Sequence, residues 1–115
     1  MEIIRARIPL SEIRSRRMTH FPAMTKLVVD VGRRILAIDA DLQADQEEAL
    51  LGDGSRQEDL WGCNLYPDRQ RDHAIEYTSL INIRPSQYNT AMVVQDSAIR
   101  QEISKVIWEL IDFDT

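Results

Sequence analysis

Hydrophobic and polar residues alternate over residues 2–8, with Ile4, Ala6 and Ile8 set against Ile3, Arg5 and Arg7. Period two is the signature of a half-buried strand. Pro9 ends it, and Ser11 is placed to cap a short arginine-rich helix over residues 12–18, with Leu10 and Ile13 available to the core. Phe21-Pro22 closes this unit, because a residue before proline is pushed out of helical geometry. Residues 26–39 read as a hairpin around Gly32-Arg33, whose glycine suits a type II′ turn. Pairing Val31 with Arg34 puts Leu27, Val29, Leu36 and Ile38 on the core face and Val28, Asp30, Ile35 and Ala37 on the other.

Two further strands form the centre of the pattern. Over residues 59–66 one face carries Asp59, Trp61, Cys63 and Leu65, and the other Leu60, Gly62, Asn64 and Tyr66. Over residues 75–84 the core face is Ile75, Tyr77, Ser79, Ile81 and Ile83, opposite Glu76, Thr78, Leu80, Asn82 and Arg84. Joined through the polar loop 68–74, the strands place Trp61 opposite Ser79 or Ile81 and bring Asn64 to the face of Glu76 or Thr78. Gly62 then leaves room for a bulky neighbour such as Leu80. Both stretches end in proline, at Pro67 and Pro85. Residues 91–94 suggest a short edge strand. Asp96 caps a helix over residues 97–112, in which Ile99, Ile103, Val106, Ile107, Leu110 and Ile111 recur at three- and four-residue spacing. Trp108 lies off that stripe, suited to a contact with another chain or to partial burial under a loop.

At 115 residues, 43% hydrophobic and 29% charged, the chain is expected to form one domain, residues 1–115, with its own core. Its single cysteine, Cys63, permits no internal disulfide, and no apolar run reaches the roughly 20 residues that a membrane helix needs. A cytoplasmic location follows as the expectation. The net charge of −5 conceals an asymmetry: residues 1–36 hold eight Lys/Arg against three acids, a balance of +5, and the remainder carries −10. A basic third facing an acidic body can pair with a second copy, which makes a homodimer the expected assembly. No basic run is interleaved with aromatics, which argues against nucleic acid as a partner.

The polar side chains of the two central strands are the candidate chemistry. Asn64, Tyr66, Asn82, Arg84 and Gln87 form the expected ligand-binding set: a guanidinium forks onto oxyanions and stacks on rings, so a small phosphate- or carboxylate-bearing molecule is the expected ligand. A structural reading stands beside it. An open antiparallel sheet has one wet face, Arg84 can pair with Asp59 or Glu76, and Gln87 or Asn89 can hold the following loop. Asp59 and Glu58, just before Trp61, can supply a general base, and Asp59 is the candidate. No histidine is set against a serine or cysteine, for His20 and His73 lie in loops. The acidic residues 39–48 can be read as a cation site. Ala44 and Leu50 nevertheless occupy the positions where a calcium loop needs Gly and Glu, so Asp45 is read as the cap of a helical turn reaching Leu51, and no metal or cofactor is expected.

Asp59-Leu60-Trp61-Gly62-Cys63-Asn64-Leu65-Tyr66-Pro67 and Ser79-Leu80-Ile81-Asn82-Ile83-Arg84-Pro85-Ser86-Gln87 resemble the motifs of a family of small prokaryotic proteins classed as a domain of unknown function. The likeness runs from the Val28-Val29-Asp30 hairpin to the final helix. The chain departs from that pattern at Gln43, where the family often has a histidine, so no ligand or acid–base role carries over to this position. The resemblance implies a fold and names no activity.

Together these features predict an α+β domain: an antiparallel sheet of about four to six strands, the C-terminal helix packed on one face and a short N-terminal helix at an edge. The expected function is a non-catalytic binding or interaction module with a polar sheet face. The alternative is a small hydrolase or transferase acting on an anionic substrate, with Arg84 holding the anion and Asp59 as base.

Overall fold

The computed structural model describes all 115 residues. Its frame is a five-stranded antiparallel sheet of β1 (Glu2–Ile4), β3 (Thr25–Asp30), β4 (Ile35–Ile38), β5 (Leu60–Leu65) and β6 (Ile75–Glu76), ordered β1-β4-β3-β5-β6. One face packs on α1 (Leu10–Arg16) and α3 (Ser97–Leu110), the other on α2 (Gln43–Gly52). The α+β class with an antiparallel sheet and a packed C-terminal helix is therefore the observed fold.

The main core lies under α3. Leu27, Val29, Leu36, Ile38, Trp61, Cys63 and Leu65 meet Ile103, Val106, Ile107 and Leu110. Removing each large side chain from water contributes roughly 1.5–3 kcal/mol. Asp96 caps α3 as expected, its Oδ1 accepting from the Ala98 N–H at 2.8 Å. The helix stops at Leu110 because Ile111–Asp112 leaves as strand β7, pairing in parallel with β2 (Ile8–Pro9) in a second small sheet.

Several local expectations are revised. The strand predicted over residues 2–8 is split into β1 and β2, because Arg5 and Arg7 between them turn outward, to the Asp53 carboxylate and the carbonyls of Trp108 and Glu109. Helix α1 begins at Leu10 rather than residue 12, directly after Pro9, and has no side-chain cap. It reaches the main core through Leu10 and Ile13, as expected. The hairpin register is as predicted, Leu27 opposite Ile38 and Val29 opposite Leu36. Its turn is not. The Asp30 carboxylate accepts from the N–H groups of Gly32 and Arg33, the strands stop at Asp30 and Ile35, and Arg34 takes the left-handed conformation with φ 60°. Gly32 serves a different purpose, since a Cβ there would lie 2.6 Å from Asp59 Oδ2.

The largest revision concerns the second sheet face, expected to be wet. Val28, Ile35, Ala37, Leu50 and Leu60 form a second buried cluster there, with Ile3 and Ile81 packed against it. Helix α2 covers it and runs longer than the turn predicted from Asp45, which caps nothing. Its buried side is mostly amide, Gln43 and Gln46 alongside Leu50, so it carries little apolar periodicity. Gln46 donates to the Lys26 carbonyl at 2.7 Å and Gln43 to the Cys63 carbonyl at 3.0 Å, so the helix is joined to the sheet by hydrogen bonds as well as by Leu50.

Much of the basic third is paired inside the chain. Arg5 and Arg33 pair with Asp53, Arg7 with Asp112, Arg14 with Asp68, Arg17 with Glu2 and Glu12, and Arg34 with Glu109. These partners hold the carboxyls of Asp53, Glu2 and Glu109 below the usual carboxylate range, chiefly through the hydrogen bonds from their arginines. Trp108 is half-buried, edge-to-face with Phe113 at 5.2 Å and covered by the Arg71 guanidinium at 4.8 Å from its ring.

Candidate functional site

The predicted strand over residues 75–84 survives only as Ile75–Glu76, paired with Asn64 and Leu65 of β5. Beyond it the chain leaves the sheet through two 3-10 turns, Leu80–Asn82 and Pro85–Gln87. Ser79 starts the first by accepting from the Ile81 N–H. Asn82 then replaces the missing ladder bonds, exchanging both a donor and an acceptor with the backbone of Gly62 at 2.9 Å each and donating to the Met92 carbonyl at 3.0 Å. Asn89 ties off the excursion: its Nδ2 is shared among the carbonyls of Asn82, Ala91 and Val93, and its Oδ1 accepts from the Gln95 N–H. The edge strand predicted over residues 91–94 is reduced to one bridge between Thr78 and Val93. Ser79 and Ile81, not Leu80, lie over Gly62, and Leu80 is turned outward, 70% exposed.

Arg84 faces inward. Nε donates to the Ile81 carbonyl at 3.0 Å, Nη1 to the Gln57 carbonyl at 2.8 Å, and Nη2 pairs with Glu47 of α2 at 3.2 Å, while the guanidinium sits 4.9 Å from the centre of the Trp61 ring. Burial pulls its pKa below the usual arginine value, with Glu47 opposing. Gln87 accepts weakly from Arg84 at 3.4 Å and donates to the Glu58 carbonyl. Asp59 stands at the hairpin turn beside Gly32, and its backbone carbonyl accepts from Val31.

The free space of the molecule lies elsewhere on the α2 face, where the first residues of α2 and the Leu80–Asn82 turn stand apart over the cross-strand pair Lys26 and Asn64. The cleft has a volume of about 360 Å³. Met24, Leu42, Leu80, Ile81 and Met92 make its walls; Lys26, Gln43, Asn64 and Thr78 supply its polar groups. Leu42 and Met92 are exposed like Leu80.

A relay fixes the polar floor. The Cys63 carbonyl can only accept, so Gln43 turns Nε2 to it at 3.0 Å and also donates to Asn64 Oδ1 at 3.0 Å. Asn64 Nδ2 therefore faces Glu76 Oε1 at 2.8 Å, to which the Tyr66 hydroxyl also reaches at 3.5 Å. Lys26 forms no ion pair; its ammonium stands 5.1 Å from the centre of the Phe21 ring.

Of the residues singled out from the sequence, Asn64 lines this cleft and Tyr66 touches its relay through Glu76, whereas Asn82, Arg84, Gln87 and Asp59 are not among its walls. Lys26 is outside the set expected from the sequence, and Gln43 enters that reading only as the position where the family often has a histidine. Cys63 is wholly buried, and burial pushes its thiol pKa far up. The acidic residues 39–48 do not converge with others: no three His, Cys, Asp or Glu side chains form a group able to hold a metal ion. No helix is long and apolar enough to cross a membrane.

Sheet, helices and cleft together define an α+β domain with one ligand-sized recess. The chain belongs to the family described as Protein of unknown function (DUF5674), whose model matches residues 2–110. No curated protein and no solved structure matches it.

Proposed function

We propose that the protein is a binding module whose cleft takes a small anionic ligand with an apolar body. The observation that supports this most is Lys26, a cation without a counter-ion in a chain whose neighbouring arginines are almost all paired. Lys26 lines a recess with apolar walls, within the size range of small-molecule sites. An anion there gains a partner that the fold does not supply, and the methionine and leucine walls shelter the pair from water. The test is a titration of ¹⁵N-labelled protein with 4-methylpentanoate, octanoate and phenyl phosphate. Saturable shifts confined to residues around Lys26, Ala44, Leu80 and Met92, lost in Lys26→Met, are expected. Absence of any saturable shift with all three compounds sinks the reading.

A second reading, self-association, is favoured by one feature. Leu80, Ile83, Tyr88, Met92 and Val93 are all exposed on the excursion that follows β6, Tyr88 at 93% and in the left-handed conformation. Apolar side chains gathered on one segment suit a contact between copies. Sedimentation analysis decides it: a dimer dispersed by Leu80→Glu supports it, and a monomer at every concentration removes it.

A further inference from the structure

The cleft offers more than a cation. Gln43 is only 8% exposed, and both contacts of its Nε2 are made within the chain, to Cys63 and Asn64. Its Oε1 accepts nothing from the protein. Three other side-chain oxygens without partners are sealed from solvent, on Thr25, Asp30 and Gln46; Gln43 Oε1 is not among them and belongs to the wall of the cleft. The amide cannot rotate to relieve this, because reversal would set oxygen against the Cys63 carbonyl. Gln43 thus presents an open acceptor in the cleft that Lys26 also lines, and both residues adjoin Asn64. Such an acceptor takes an N–H donor in exchange for water.

These two groups and the walls specify three parts of one molecule: an anion, an N–H donor close to it, and a branched apolar group. Resting on the reading that the cleft binds an apolar anion, we infer that its ligand is an N-acylated α-amino carboxylate with an apolar side chain. The carboxylate pairs with Lys26, the amide N–H donates to Gln43 Oε1, and the side chain lies among Leu42, Leu80 and Met92. Acylation matters because a free α-ammonium would bring a second positive charge against Lys26. Two sources carry this chemistry, a free acylated amino acid and the C-terminal residue of a peptide.

Calorimetric titration of the intact protein tests the parts separately. The compounds are N-acetyl-leucine, 4-methylpentanoate, which lacks the amide, N-acetyl-leucinamide, which lacks the anion, leucine itself, and acetyl-Ala-Ala-Leu. N-acetyl-leucine is expected to bind about two- to tenfold more tightly than 4-methylpentanoate, the net range for one added hydrogen bond, and more tightly than leucine. If 4-methylpentanoate or leucine binds as tightly as N-acetyl-leucine, the inference is overturned while the anion-binding reading stands. If N-acetyl-leucinamide equals N-acetyl-leucine, or nothing binds, both fall. Tighter binding of acetyl-Ala-Ala-Leu than of N-acetyl-leucine identifies a peptide C-terminus as the source, and equal binding identifies the single acylated residue; either supports the inference.

Discussion

The carboxamide of Asn82 closes on the backbone of Gly62 from both sides, its Oδ1 accepting from the glycine N–H and its Nδ2 donating to the glycine carbonyl, each at 2.9 Å. One side chain here does the work of a neighbouring strand. Asn82 is wholly buried, so its removal leaves Gly62 N–H and Gly62 C=O without their partner, while Met92 C=O keeps only the Ser79 N–H. Asn82→Ala is expected to cost about 3 kcal/mol, at the upper end for buried groups left unsatisfied. Asn82→Asp should cost at least as much at neutral pH, because a carboxylate cannot donate to either carbonyl. Urea denaturation checks both; a loss under about 0.5 kcal/mol for Asn82→Ala would show that the contact contributes nothing.

Arg84 locks the same excursion to α2 through Glu47, with side chains only 9% and 17% exposed. Arg84→Met is expected to cost about 3–5 kcal/mol, because Glu47 is left as a largely buried charge without its cation. Adding Glu47→Gln to Arg84→Met should recover part of that loss, since the neutral amide no longer needs the guanidinium. Arg84→Lys should be destabilising as well: a single ammonium cannot reach the Ile81 and Gln57 carbonyls and Glu47 together, nor lie flat on Trp61. Additive single-mutant costs in the cycle would show that the pair is not coupled.

How much of this was readable in the residues depends on what carried each element. Where burial rests on apolar periodicity, as in the Leu27-to-Ile38 hairpin, β5 and α3, strands, register and core faces followed from the pattern. Helix α2 was read too short because Gln43 and Gln46 take the buried positions that apolar residues would mark. The segment after Glu76 kept strand-like alternation, yet it follows side-chain hydrogen bonds from Ser79, Asn82 and Asn89 that alternation does not report. The candidate site was half readable for the same reason. Asn64 stands out as a polar residue on a strand, but its companions Lys26 and Gln43 come from 38 and 21 positions earlier in the chain, and only the pairing of β3 with β5 and the packing of α2 over them bring the three together.

Two glycines separate close packing from chain freedom. A Cβ at Gly62 would lie 2.5 Å from Ser79 Cβ and 3.1 Å from Ile81 Cγ1, whereas one at Gly52 meets nothing within 4 Å. Gly62→Ala must displace the Leu80–Asn82 turn, with an expected cost of about 2 kcal/mol or more. Gly52→Ala, in the last turn of α2, should stabilise by about 0.4–1 kcal/mol, because it reduces the freedom of the unfolded chain without strain. Thermal unfolding should move in opposite directions for the two variants, and equal shifts would remove the close-approach account of Gly62.

Cys63 gives the fold a dependence on alkaline pH. Its thiol is wholly buried among apolar side chains, and burial raises its pKa far above the ordinary value. In the unfolded chain the thiol ionises near pH 8.5. Above that pH the unfolded state gives up a proton that the folded state keeps, so this contribution to stability is intact below about pH 8.5 and declines as pH rises. The slope attributable to Cys63 approaches about 1.4 kcal/mol per pH unit. Partly buried Tyr77, whose pKa is also raised by burial, adds a loss of the same sign nearer pH 10, so the comparison belongs between pH 8 and 9.5. Over that interval the stability of the native protein should fall relative to Cys63→Ala, while below pH 8 their difference stays constant. The folded protein should also resist a thiol-labelling reagent at pH 9, reacting only at the rate at which it opens. Rapid labelling, or parallel stability curves for the two proteins, would show that the thiol ionises in the folded state.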